Sequence, residues 1–171
     1  MTITAFWKLA SAFCHTASLA ALNADHLEKY IVVGIDAMIW IVKTQAAFHK
    51  PHHSQNGESP ELRTLFYKLA AFQKSGAIAV FVFDGPNKAK VKRGKTVRSK
   101  PHWLVSSFQD LIKAFGYYHH QAPGEGEAEL AYMNARREVD MVYTDDGDVF
   151  AFGGVQIFRT YVLFPPNYPA R

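Results

Sequence analysis

The sequence predicts an α/β fold, a central parallel sheet covered by helices on both faces. Three observations carry this. Short runs that are apolar throughout, rather than alternating, recur along the chain, as strands buried on both faces do. Segments with helical spacing separate them, and strand–helix–strand alternation makes neighbouring strands parallel. Acids stand at the carboxyl end of three such runs, the edge at which open parallel sheets bind ligands.

In chain order, residues 5–22 place Phe6, Leu9, Ala10, Phe13, Ala17 and Ala20 near helical spacing and predict a first helix. The β-branched run from Tyr30 to Ile35, with Gly34 just before Asp36, predicts a strand ending near Asp36, and the apolar stretch to Val42 predicts a helix behind it. Residues 49–60 are polar, with Pro51, Gly57 and Pro60, and predict a loop. Leu62, Leu65, Phe66, Leu69, Ala70 and Phe72 trace an amphipathic helix that Ser75-Gly76 stops. Ala77 to Phe83 predicts a second strand, closed by the turn tripeptide Asp84-Gly85-Pro86.

The next segment, Lys88 to Lys100, carries seven Lys or Arg and no acid. Trp103 to Phe115 predicts a helix ended by Gly116, and Tyr117 to His120 a short strand. A helix from about Glu125 to Arg137, a strand Met141 to Thr144 and a last short strand Val155 to Arg159 complete the pattern. The end, FPPNYPAR, is proline-rich and predicts no element.

With 171 residues the chain is one domain by length, and 49% hydrophobic content makes it globular rather than disordered. A net charge of +4 and a pI near 9.1 permit a polyanionic partner without requiring one. The one cysteine, Cys14, excludes an internal disulfide and reads as a small apolar core residue. No run of 18 apolar residues is present, so no membrane partner is expected. The first 22 residues are apolar, but Lys8 and His15 interrupt them and no basic segment precedes them, which argues against a secretory signal.

Eight of the fifteen acidic residues fall between Glu125 and Asp148. Like charges this dense repel, and metal ions or solvent relieve them. Magnesium and manganese ions prefer carboxylate and water oxygens. A pair of such ions about 3.5–4 Å apart can flank a phosphodiester, and this needs carboxylates from several elements. Asp36, Asp84, Glu125, Glu127, Asp146 and Asp148 are the candidate ligands. Glu125 and Glu127 would splay apart in mid-helix; at a helix start, flanked by Gly124 and Gly126, both can face one cavity. Each group taken alone has a plainer explanation, as a turn, as first-turn acids favoured by a helix dipole, or as a solvated loop. Their shared position at the ends of three strands favours a site. The acids lack the alternation of an EF-hand, Gly124-Glu125-Gly126 lacks the third glycine of a dinucleotide fingerprint, and the eight histidines show no zinc spacing with cysteine. No small-molecule cofactor is therefore expected.

The basic run Lys88, Lys90, Lys92, Arg93, Lys95, Arg98 and Lys100 follows directly on the Asp84 turn, where it would draw a nucleic-acid backbone towards bound metals. As a plainer alternative, the run is a nuclear-localisation signal or a solvated loop.

The segments GIDAMIW, FVFDGP, APGEGEAELAY and YTDDGDVFAFG resemble the XPG-type, or flap-endonuclease, family of structure-specific nucleases, with greatest likeness to its fungal Holliday-junction-resolvase (Yen/GEN) branch. The resemblance implies a PIN-like nuclease domain over residues 1–160, with an N-region of about 1–100, an internal region of about 104–160, and a proline-rich tail over 161–171. It implies two Mg²⁺ ions, replaceable by Mn²⁺, on the six carboxylates, and Lys92 and Arg98 as the catalytic cations nearest the scissile phosphate. Branched DNA is the implied partner and the nucleus the implied location; protein partners are left unknown. The family begins Met-Gly where this chain has Met1-Thr2, its helical arch, the basic segment after the second strand, is longer, and it continues into another metal-binding aspartate and a helix–two-turn–helix element beyond the region matched here. The expected function is a Mg²⁺-dependent endonuclease for 5′ flaps or Holliday junctions, in repair or recombination. The alternative is a catalytically incomplete nucleic-acid-binding remnant. A haloacid-dehalogenase-type phosphatase is disfavoured, because that chemistry needs an acid two residues after Asp84 and the chain has Pro86 there.

Overall fold

The computed structural model describes residues 7, 10–25, 30–48, 59–88, 91–92, 95–96 and 102–159. Seven strands are present among them: β1 (Val32–Asp36), β2 (Ile78–Phe83), β3 (Val91–Lys92), β4 (Lys95–Thr96), β5 (Tyr118–Gln121), β6 (Met141–Tyr143) and β7 (Ile157–Phe158). Five of them form one sheet in the order β5-β2-β1-β6-β7, every pairing parallel. The helices are α1 (Leu19–Asp25), α2 (Ala37–Phe48), α3 (Pro60–Gln73), α4 (Leu104–Ala114), α5 (Gly126–Ala135) and α6 (Asp148–Ala151).

The helices cover both faces, as the continuously apolar strands require. On one face Val33 and Ile35 of β1 and Ala79, Phe81 and Phe83 of β2 pack against Trp40 and Ile41 of α2, Leu65 and Leu69 of α3, and Leu104, Phe108 and Ile112 of α4. On the other, Val32, Val80, Val82 and Val142 meet Leu130 and Ala131 of α5 and Val149 of α6. The residue alternation along β1 and β2 assigns odd positions to the first layer and even positions to the second. Gly34 lies on the second face because α5 comes too close for a side chain: a Cβ there would stand 2.6 Å from Leu130 Cδ2 and 3.3 Å from Val139 Cγ2.

Three expectations are corrected. Residues 5–22 do not form one helix; a 3-10 turn at Ser11–Phe13 is followed by an interruption and then by α1. Ser18 is the cause, since its Oγ accepts the amide of Ala21 at 3.1 Å and starts a new helix there. Cys14 is exposed in that interruption rather than buried in the core, its thiol directed at the carbonyl of Ala10 at 3.3 Å. The basic segment is not wholly loop, because β3 and β4 pair antiparallel within it, Val91 opposite Thr96 and Lys92 opposite Lys95. Among the described residues no helix is long and apolar enough to cross a membrane.

Candidate metal centre and nucleic-acid interface

The register sets the site. Ile35 pairs with both Phe81 and Tyr143, so β1, β2 and β6 end level and deliver Asp36, Asp84 and the Asp145–Asp148 loop to one edge. Helix α5 starts at the same edge and adds Glu125 and Glu127. All six candidate ligands, Asp36, Asp84, Glu125, Glu127, Asp146 and Asp148, line one cavity of about 460 Å³, together with Asp145, Lys43, Met38, Ile39 and Val42.

Backbone amides orient several of these carboxylates. Asp36 is buried and its Oδ1 accepts the amides of Met38 at 2.8 Å and Ile39 at 3.1 Å, capping the first turn of α2. Asp84 Oδ1 accepts the amide of Gly126 at 2.9 Å, which ties the end of β2 to the start of α5. The chain on either side is zipped: Gly85 N–H donates to the Gly124 carbonyl at 2.7 Å, Asn87 N–H to Pro123 at 3.1 Å and Ala122 N–H to Phe83 at 2.9 Å. Gly85 permits this approach, since a Cβ there would fall 1.7 Å from the Ala122 carbonyl oxygen. After β6, the Thr144 hydroxyl accepts the amide of Asp146 at 3.1 Å and Asp146 Oδ1 accepts that of Asp148 at 3.2 Å, curling the loop into α6.

Glu125 has extended backbone (φ −79°, ψ 133°) at the N-cap of α5 and Glu127 lies in its first turn. The residues spaced i, i+2 therefore face one cavity at a helix start, as their position in the sequence suggests. Glu127, Asp146 and Asp148 each offer an oxygen, and these oxygens lie within 4.8 Å of one another. An all-carboxylate donor set drawn this close suits a hard divalent cation, which prefers oxygen ligands and offsets their mutual repulsion.

Not every acid in the 125–148 stretch belongs to the site. Glu129 pairs with His120 Nε2 at 3.0 Å, Glu138 with Arg136 Nε at 2.8 Å, and Asp140 Oδ2 accepts the amide of Val32 at 2.8 Å. None of these three lines the cavity. Asp145 enters the cavity already countered, paired with Lys43 Nζ and standing 3.5 Å from Arg159 Nε.

Of the basic run, Lys88 is at the site, its Nζ 3.8 Å from Asp84 Oδ2. Lys92 and Lys95 are described by their backbone in β3 and β4, whereas Lys90, Arg93, Arg98 and Lys100 lie outside the described residues. Sequence reasoning missed Lys43 and Thr144. Lys43 follows Asp36 by seven residues, two turns along α2, and that spacing was the available signal.

Comparison with known proteins agrees with this geometry. Residues 1–102 match the XPG N-terminal domain and residues 116–167 the XPG I-region. The human flap endonuclease GEN homolog 1 is 28% identical over 149 residues, covering 77% of this chain and 16% of its own length. Flap endonuclease 1 of Sulfolobus acidocaldarius is 28% identical over 170 residues, covering 77% of this chain and 48% of its own. Among solved structures, the Holliday junction-resolving enzyme GEN1 in complex with product DNA, Mg²⁺ and Mn²⁺ superposes with a TM-score of 0.71 at 34% identity, covering 92% of this chain and 36% of that one. The catalytic core of Rad2 in complex with DNA substrate gives a TM-score of 0.73 at 28% identity, over 95% and 51% of the respective chains. The chain thus spans between 16% and 28% of the length of the first three curated relatives.

Proposed function

The chain belongs to the XPG family, and from that premise we propose that it is the nuclease region of a divalent-metal-dependent endonuclease acting on branched DNA, 5′ flaps or four-way junctions. The observation that carries the reading is the convergence of six carboxylates from four segments on one cavity at the carboxyl edge of the sheet. The related GEN1 and Rad2 structures, which contain DNA and in one case Mg²⁺ and Mn²⁺, support the same substrate class and cofactor.

Asp36, Asp84, Glu125, Glu127, Asp146 and Asp148 would hold two Mg²⁺ ions, with Mn²⁺ able to replace them. Bound there, the ions would supply a water activated for in-line attack and charge stabilisation at the phosphodiester. The chain's own contribution is positioning. The α2 amides fix Asp36, the amide of Gly126 fixes Asp84, and the Thr144 turn fixes Asp146. Lys88, Lys90, Lys92, Arg93, Lys95, Arg98 and Lys100 would neutralise backbone phosphates and hold the strand over the cavity, with Lys92 and Arg98 nearest the scissile group. A nuclear location is part of this proposal, suggested by the family resemblance and the basic segment, and imaging of a fluorescent fusion tests it.

Incision of end-labelled 5′-flap and four-way-junction DNA tests the activity. Wild-type chain in Mg²⁺ is expected to cut near the branch, EDTA to abolish cutting, and Asp146→Asn to lower it about a hundredfold or more while the fold persists. Folded chain that binds these substrates but leaves them uncut in Mg²⁺ and in Mn²⁺ overturns the proposal.

A further inference from the structure

The acidic cavity contains a cation that the metal-ligand set does not account for. Lys43 reaches it from α2, two turns after Asp36, and its ammonium pairs with Asp145. Asp145 is the cavity acid outside both the six-residue ligand set and the three-oxygen cluster of Glu127, Asp146 and Asp148. Its other oxygen faces Arg159 Nε at 3.5 Å, and the Arg159 guanidinium lies 4.5 Å from the centre of the Trp7 ring. Trp7 in turn meets Phe150 of α6 edge-on at 6.0 Å.

Behind Lys43 stands Lys68, itself above the Trp40 ring at 5.3 Å. Lys43 and Lys68 line a neighbouring cavity together, and burial, then the charge of Lys43, lowers the Lys68 pKa. On the acidic-cavity side Lys43 pairs with Asp145, one residue before a proposed ligand.

We propose that Lys43 sets the divalent-ion affinity of the cavity: paired with Asp145, it keeps that carboxylate out of the ligand set and opposes the incoming ion with its own charge. The inference rests on the metal reading given above and deepens it. A unit charge acting on a divalent ion across about 8 Å in a water-like dielectric changes affinity about fivefold. Two signs then follow from charge alone. Lys43→Met removes a cation and frees the Asp145 oxygen it holds, so it tightens binding; Asp145→Asn removes an anion and leaves the Lys43 charge uncompensated, so it weakens binding.

The experiment is Mn²⁺ titration of the full chain, with free ion followed by electron paramagnetic resonance, on wild type, Lys43→Met, Asp145→Asn and the double variant. Lys43→Gln is carried in parallel in case the methionine perturbs packing, and circular dichroism checks each fold. Expected are dissociation constants about fivefold lower for Lys43→Met and Lys43→Gln, about fivefold higher for Asp145→Asn, and near wild type for the double variant. A merely structural role would weaken binding in every variant. Binding by wild type with an unchanged or weaker constant in both Lys43 variants overturns this inference and leaves the metal reading standing. Absence of Mn²⁺ binding by wild type overturns the metal reading and this inference with it.

Discussion

At Asp36 one side chain serves the fold and the site together. Its Oδ1 caps α2 through Met38 and Ile39 while the carboxylate lines the cavity. Asparagine keeps the capping oxygen and discards the charge, whereas alanine discards both. Asp36→Asn is expected to melt near wild type and Asp36→Ala to lose about 1 kcal/mol, with incision lost in both; thermal denaturation beside the incision assay separates the two roles. His119 on β5 gives a second residue-scale test. Burial, then the charge of Lys113, hold its pKa below the ordinary histidine value against a smaller opposing pull from Asp110. The unfolded chain therefore takes up this proton at higher pH than the folded chain, so the group's share of stability is present above about pH 6.5 and is lost as pH falls towards its folded value. Melting temperatures of wild type and His119→Gln, compared from pH 7.5 to 5, are expected to show a shallower acid decline in the variant. The six candidate ligands were legible in the sequence because each stood at the end of an apolar run or at a helix start. Lys43 was missed, because its partner Asp145 is 102 residues away and only its two-turn spacing from Asp36 marks it within α2.

At the scale of elements, the join between α5, β6 and β7 depends on Asn134. The side chain is buried; its Nδ2 donates to the carbonyls of Val139 and Asp140, both at 3.1 Å, and its Oδ1 accepts the amides of Val155 at 2.7 Å and Gln156 at 2.9 Å. Asn134→Ala strands backbone groups on two segments and is expected to cost about 2–3 kcal/mol, measured by urea denaturation. An unchanged midpoint would show that water replaces these bonds. No sequence pattern announces such a residue, since an asparagine late in a helix reads as an ordinary solvent-facing position. The strands β1, β2 and β6 were legible because burial on both faces leaves unbroken apolar runs. The turn α6 was not, being four residues long and started by hydrogen bonds within the Thr144–Asp148 loop. Nor was the break before α1, where apolar spacing continued across a serine that caps a new helix.

The whole molecule is a parallel sheet whose level strand ends gather charge that no single element could hold. Three strands finish together, a helix begins beside them, and zipped backbone between residues 83–87 and 122–124 closes the edge. That convergence was the step the sequence supported least directly, because it required the order of strands rather than their existence. It came from placing acids at the carboxyl ends of a parallel sheet, and the order β5-β2-β1-β6-β7 puts two of the acid-bearing strands on either side of the third. A crystal of the chain soaked in Mn²⁺, measured for anomalous scattering, tests this account most directly. Anomalous density in the cavity, within about 2.0–2.3 Å of carboxylate oxygens of Glu127, Asp146 and Asp148, is the result expected. A fully soaked crystal with an ordered cavity and no anomalous peak among these carboxylates would contradict it.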